Sequence, residues 1–202
     1  MIGLVVLVVG AIYLALLFWA TRAAYRWAKS KGFSKSKCWA AASGGFFAVL
    51  LPVFWDWVPT LAANRYYCAT EAGFTVFLTL EQWKAENPGA AEQLTWRDLS
   101  PSEILPDGTR RYQLNERMAW EARKRTPIPF ISTEVFENLI LDQKTGRLLA
   151  KRVSIGSGYP NPLVGGDDWR GFKSWLDMGR CSPMLAEFSQ FQTAAKQLGE
   201  KK

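Results

Sequence analysis

The chain of 202 residues contains no histidine, and its first 55 residues contain no Asp or Glu. Without an imidazole there is no Ser–His or Cys–His nucleophile pair, no usual zinc ligand set and no commonest general base. Neither a Walker A loop nor a dinucleotide-binding glycine pattern occurs. Gly165-Gly166-Asp167-Asp168 has hard-cation character, but its spacing fits no calcium loop and reads as a turn. A Ser–Lys hydrolase needs no histidine, yet nothing singles out one pair among the serines and lysines. Glu116 and Glu121 have no spacing that compels a shared pocket. The requirements of a catalytic site are not met, so the expectation is a non-enzymatic protein with no cofactor and no metal.

The acid-free region has a definite pattern. Ile2–Ala20 is an uncharged apolar run, and a second run extends over Trp39–Val58. Between them, residues 21–37 hold Arg22, Arg26, Lys29, Lys31, Lys35 and Lys37. The first run reaches roughly 28 Å at 1.5 Å per residue, close to the ~30 Å hydrocarbon core of a bilayer. A cleavable signal peptide would need a charged stretch ahead of the run and small residues at its end. Here Met1 precedes it and Leu17-Phe18-Trp19 closes it, so an uncleaved span is expected. The second run includes Ser43, Gly44, Gly45, Pro52 and Asp56, and Gly and Pro are tolerated in membrane helices. Asp56, flanked by Trp55 and Trp57, reads as an interfacial marker reaching headgroups or water. Ala41 and Gly45, Ala40 and Gly44, Ala11 and Ala15, joined by Gly3 and Gly10, have the small-residue spacing that lets spans approach.

Short loops rich in Lys and Arg stay in the cytoplasm. The expected topology is therefore a transmembrane hairpin over 1–58, with spans at about 2–20 and 39–58 and a cytoplasmic loop at 21–37. Both termini then lie on the far side, which in a bacterium makes this an inner-membrane protein with residues 59–202 in the periplasm. Trp19, Tyr25, Trp27 and Trp39 fit one interfacial belt, and Phe54, Trp55 and Trp57 the other. The net charge of +7 resides mainly in the loop: residues 59–202 hold 19 Lys and Arg against 17 Asp and Glu. A domain so near neutrality has no broad footprint for nucleic acid.

Cysteine is equally scarce, with three residues. Cys38 falls at the cytoplasmic end of the second span. Cys68 and Cys181 lie in the domain and, in an oxidising compartment, are expected to pair. Such a bond closes a loop of about 110 residues, which a chain-entropy model credits with somewhat over 4 kcal/mol. The alternative is two unpaired buried thiols.

The domain reads as α+β, with a mainly antiparallel sheet and C-terminal helices. A helix is expected over 60–72, capped by Gly73, then a strand at Phe74–Thr79. Thr79 and Gln82 form a capping box that opens a short helix through about Asn87, closed by Pro88-Gly89. The stretch 88–108 is turn-rich, with Ser100-Pro-Ser-Glu103 as a further cap and Pro106-Asp-Gly108 as a turn. One long strand is expected over 109–124, broken by Pro127 and Pro129. Glu134–Leu141 and Arg147–Ile155 flank a Gly-containing loop of hairpin length. A loop over 156–168 precedes helices at about 169–178 and 183–198, the last capped by Ser182-Pro183.

Arg110, Arg111, Arg117, Arg123 and Arg125 concentrate on the expected strands, with Lys151 and Arg152 nearby. Alternate residues of a strand share a face, so Arg111 and Arg117 line one side with Arg123 or Arg125. This face suits an acidic protein, lipid headgroups or incoming DNA. The simpler reading is a solvated sheet face balanced by Glu116, Glu121, Glu134 and Glu137.

Tyr66-Tyr-Cys68, Phe74–Asn87 with Pro88-Gly89, and Leu139-Ile-Leu-Asp-Gln-Lys-Thr-Gly-Arg147 sit in a layout that resembles small bacterial and prophage proteins with a two-span anchor and a periplasmic α+β domain. One functional class of similar architecture is superinfection exclusion, in which a prophage-encoded inner-membrane protein blocks DNA entry by another phage. The resemblance implies a non-enzymatic protein whose periplasmic domain binds an envelope or invading partner. The partners expected are the lipid bilayer and an envelope protein, with nucleic acid only as translocating phage DNA. An accessory subunit of a membrane transport or assembly complex is the second expectation, and a membrane-anchored enzyme the third.

Overall fold

A computed structural model describes residues 2–96, 103–160 and 169–201. The chain divides into two compact units, residues 1–59 and 60–202. The expected cap at 100–103 lies partly, and the Gly165–Asp168 cluster wholly, outside the described residues.

The first unit is a helical hairpin of α1 (Ile2–Ser30) and α2 (Lys35–Phe54). The basic stretch is helix at both ends: Arg22, Arg26 and Lys29 extend α1, and Lys35 and Lys37 open α2. Arg, Lys and Ala are good helix formers, and cations favour a helix C-terminus, so α1 does not stop where hydrophobicity does. It ends instead at Gly32, whose φ of 74° is left-handed. Gly32 N–H donates to the Lys29 carbonyl at 3.1 Å and Phe33 N–H to the Ala28 carbonyl at 3.3 Å. This double closure, with Phe33 set edge-on against Trp27, is a Schellman cap.

The seam between the helices runs along Tyr13, Leu17, Ala20, Ala24 and Ala28 of α1 and Cys38, Ala42, Gly45 and Val49 of α2. Leu17, Ala28, Cys38 and Ala42 are buried, and Tyr13 donates to the Val49 carbonyl at 3.2 Å. A Cβ at Gly45 would lie 2.8 Å from the Ala20 carbonyl oxygen and 2.9 Å from Ala24 Cβ. Gly45 is thus the close-approach residue. Gly10 and Gly44 face open space, and Ala11, Ala15 and Ala40 are exposed, so those small residues do not form the seam. Both helices are long and apolar enough to cross a membrane, and 6% and 11% of their apolar windows are buried by protein.

The second apolar run does not stay helical to Val58. Helix α2 ends at Phe54, Trp55 and Asp56 form a turn, and α3 (Trp57–Thr70) begins there. The turn folds the Asp56 carboxylate inward to 4% exposure instead of presenting it outward.

The second unit contains a six-stranded antiparallel sheet in the order β1-β7-β6-β5-β4-β3. Its strands are β1 (Gly73–Val76), β3 (Glu103–Ile104), β4 (Arg110–Gln113), β5 (Met118–Arg125), β6 (Thr133–Asp142) and β7 (Leu148–Ser157). Gly73 begins β1 rather than capping α3. A separate parallel pair joins β2 (Thr95–Trp96) to β8 (Glu200–Lys201). The long strand expected over 109–124 is a hairpin, because Asn115 turns the chain. Its Oδ1 accepts from the N–H groups of Arg117 (3.0 Å) and Met118 (2.8 Å), and its Nδ2 donates to the Ala195 carbonyl at 2.9 Å. The β6–β7 hairpin forms as its sequence indicates, with Gly146 left-handed at φ 69°.

Helix α4 (Leu80–Glu86) is opened by the Thr79–Gln82 capping box. Helix α5 (Leu185–Lys196) begins two residues later than the Ser182-Pro183 signal implies, after a left-handed Met184. The expected helix over 169–178 is two single 3-10 turns, Trp169–Phe172 and Ser174–Leu176.

Helices α4 and α5 pack on one face of the sheet. Trp83, Leu114, Met118, Ile140 and Leu149 are fully buried there with Phe188. Helix α3 packs on the other face, where Tyr67, Cys68 and Ala72 meet Val135, Val153 and Ile155. Cys68 and Cys181 are joined by a disulfide with Cα atoms 6.0 Å apart, and Cys181 pairs with Ile155 through two 2.9 Å backbone hydrogen bonds. Cys38 is a free, buried thiol.

Candidate functional site

Strand register decides which arginines meet. Arg111 lies opposite Glu121, and Arg123 opposite Glu137. Arg111, Glu121, Arg123, Arg125, Glu137 and Lys151 therefore share the α3 face of the sheet. Arg110 pairs with Ala122 and points to the opposite face, where it is exposed. Arg117 lies in the β4–β5 turn and joins neither row.

The shared face is a ladder of alternating charge. Glu121 is 2% exposed and accepts from Arg111 at 2.7 and 3.0 Å and from Arg123 at 2.8 Å. Glu103 stands 3.7 Å from Arg111 at the outer edge. Across the sheet, Glu137 accepts from Lys151 at 2.9 Å and lies 4.0 Å from Arg125, which also pairs with Glu71 of the segment after α3. Burial alone would raise the Glu121 carboxyl, but the two guanidiniums outweigh it and hold its pKa below the usual value. Of the arginines offered as a candidate interaction face, Arg111, Arg123 and Arg125 lie beside carboxylates, two of them the Glu121 and Glu137 of the simpler reading.

Arg117 has a structural task instead. It binds Asp142 through Nε at 3.1 Å and Nη2 at 2.9 Å, donates to Asn87 at 2.6 Å, and stacks 4.9 Å over Trp83. Trp83 Nε1 donates to the same Asp142 carboxylate at 3.0 Å, and Lys144 N–H caps it at 3.0 Å. Burial raises the Asp142 carboxyl, and this set of donors more than reverses the effect, so its pKa is lowered. The network ties α4 to the turns of both hairpins. Its one sequence signal is the Asp-Gln-Lys-Thr-Gly loop, where Asp142 reads as a turn residue and gives no hint of Trp83, 59 residues away.

The six hairpin cations are all exposed, with Lys31 in the turn between the helices. Arg22 lies 6.0 Å from the Phe18 ring and Lys37 5.9 Å from Phe33. Among the described residues, no group of three or more His, Cys, Asp or Glu could hold a metal ion. No family model matches the chain, and no curated protein or solved structure does.

Proposed function

We propose that this protein is a membrane-anchored binding protein: α1 and α2 span a bilayer, and the disulfide-stapled domain meets its partner on the far side. The observation that carries the reading is the outer surface of the hairpin. Leu7, Leu14, Phe18, Trp19 and Trp39 are each more than 60% exposed, and an apolar surface of this kind needs lipid or another apolar partner to cover it. The core helix of a water-soluble protein would instead be mostly buried by its own chain. The cationic ends of the two helices support a cytoplasmic turn, and the disulfide in the domain supports an oxidising compartment. Apart from the anchor, the described residues of the domain offer charged surfaces and no assembled acid–base or nucleophilic group, which favours binding over catalysis.

The sharpest form of this reading is exclusion of a second phage at the inner membrane, supported by the two-span layout alone. Two experiments test the proposal in sequence. Alkaline carbonate washing should leave the protein in the membrane pellet; release into the supernatant would reject the anchor. Deleting its gene should then raise infection by a related phage, and unchanged plating would reject the exclusion form while leaving the anchored binding protein standing.

A further inference from the structure

Two further arginines outside the charge ladder, Arg152 and Arg180, line one cleft. Arg152 of β7 lies on the α5 face of the sheet and is 5% exposed. Its Nε reaches the Pro183 carbonyl at 3.4 Å, its Nη2 meets the Ser182 hydroxyl, and its guanidinium rests 5.8 Å from the Phe188 ring. Arg180 is exposed and lies 4.6 Å over the Phe136 ring. Among the described residues no carboxylate forms an ion pair with either one. Both line a cleft of about 390 Å³ with Asn138, Ser154 and Ser182, and Arg180 also lines a second cleft of about 330 Å³ that includes Glu134 and Asp177.

Neutral oxygens of Ser182 and Pro183 answer the Arg152 guanidinium, but no counter-charge does. A buried guanidinium is normally paired, because taking a cation out of water is expensive. Burial, and after it the like charge of Arg180, pulls Arg152 below its ordinary pKa. Glu137 stands among the residues around the cleft, but its side chain belongs to the α3 face, where Lys151 engages it and Arg125 approaches it. Arg123 likewise belongs to the α3 face and is held by Glu121. On the α5 face this leaves Arg152, the Ser154 and Ser182 hydroxyls and the Asn138 amide, with Arg180, lining one hollow of small-molecule size. Guanidinium forks and hydroxyls together match an anion with several oxygens better than a single carboxylate, and Arg binds phosphate bidentately.

We propose that the cleft between β5, β6, β7 and the segment before α5 binds a phosphate group, with Arg152 as the buried anchor and Arg180 as the entry cation. Ser154, Ser182 and Asn138 supply the neutral hydrogen bonds. The site does not depend on which side of a membrane the domain occupies, so it stands or falls apart from the anchor reading.

The test is calorimetric titration of the full chain in neutral detergent at constant ionic strength. The probes are inorganic phosphate, glycerol 3-phosphate and short-chain phosphatidylglycerol below its micelle concentration. Binding by the soluble phosphates identifies a free phosphate or phosphate ester as ligand; binding by phosphatidylglycerol alone identifies a lipid headgroup. Arg180→Gln, at an exposed position that the fold tolerates, should weaken binding about 10- to 100-fold, the loss expected for one charge-assisted donor. Arg152→Lys should weaken it while circular dichroism stays native, since Lys keeps the charge and loses the fork. Arg110→Gln should leave binding unchanged. Absence of binding by all three probes, or equal binding by wild type and Arg180→Gln, would overturn the proposal.

Discussion

The two units of this molecule handle charge in opposite ways. In the helical hairpin six cations are exposed, the sequence supplies no acid before Asp56, and the apolar side chains face outward. In the domain an apolar core is buried, and Arg111, Arg123 and Arg125 of the sheet are matched to nearby carboxylates. The pI of 9.4 therefore describes the hairpin and its proposed bilayer, and says little about what the domain binds. Against the neutralised background of the domain, the unmatched pair Arg152 and Arg180 stands out as the place where charge is left for a ligand.

Removing a paired group from the domain should hurt, and removing a hairpin cation should not. The largest effect is expected for Asp142→Ala, which leaves Arg117 without its carboxylate and Trp83 Nε1 without its acceptor. Breaking one side of such a buried pair costs about 3–5 kcal/mol, read as a lower urea midpoint for the domain. Arg26→Ala, by contrast, should leave that midpoint within about 0.5 kcal/mol of wild type. If the two variants behaved alike, the contrast between the units would be wrong.

Reducing the Cys68–Cys181 bond should cost the domain about 2–4 kcal/mol. The helical signal of α1 and α2 should persist, because the bond lies wholly in the second unit. Glu121→Gln should cost about 1.5–3 kcal/mol at neutral pH, the range for hydrogen bonds to a charged group. The same carboxylate gives a pH signature. The folded-state pKa values of Glu121 and Asp142 are lowered, so their stabilisation is complete above the unfolded values near 4 and is lost as pH falls through the folded ones. The wild-type urea midpoint should therefore fall below about pH 4, and Glu121→Gln should flatten that fall. The smallest effect belongs to Arg110→Gln. Arg110 is exposed on the opposite face from the ladder, and its loss should change stability by no more than about 0.5 kcal/mol.

What could be read from the sequence was local. The Thr79–Gln82 capping box and the Asp142–Gly146 hairpin turn are written in a few adjacent residues, and both form. The disulfide was legible because only two cysteines fall in the domain. The features that escaped depend on side chains reaching across the fold. Asn115 folds an apparently continuous strand into β4 and β5 without any Gly or Pro to announce it. Arg117 looked like a member of a basic face because its partners, Trp83 and Asp142, are distant in sequence. The basic stretch 21–37 looked like a loop because charge interrupts hydrophobicity, yet charge does not interrupt a helix of Arg, Ala and Lys. Pairing of β8 with β2 joins residues about a hundred positions apart and leaves no periodicity to detect.

The central claim is that the hairpin crosses a membrane and delivers the domain to the side opposite its cationic turn. Alkaline phosphatase fused after Lys202 tests it directly, because that enzyme becomes active only after export. The account predicts an active fusion in the carbonate-resistant membrane fraction of bacterial cells. An inactive phosphatase fusion paired with an active cytoplasmic reporter at the same position would contradict it.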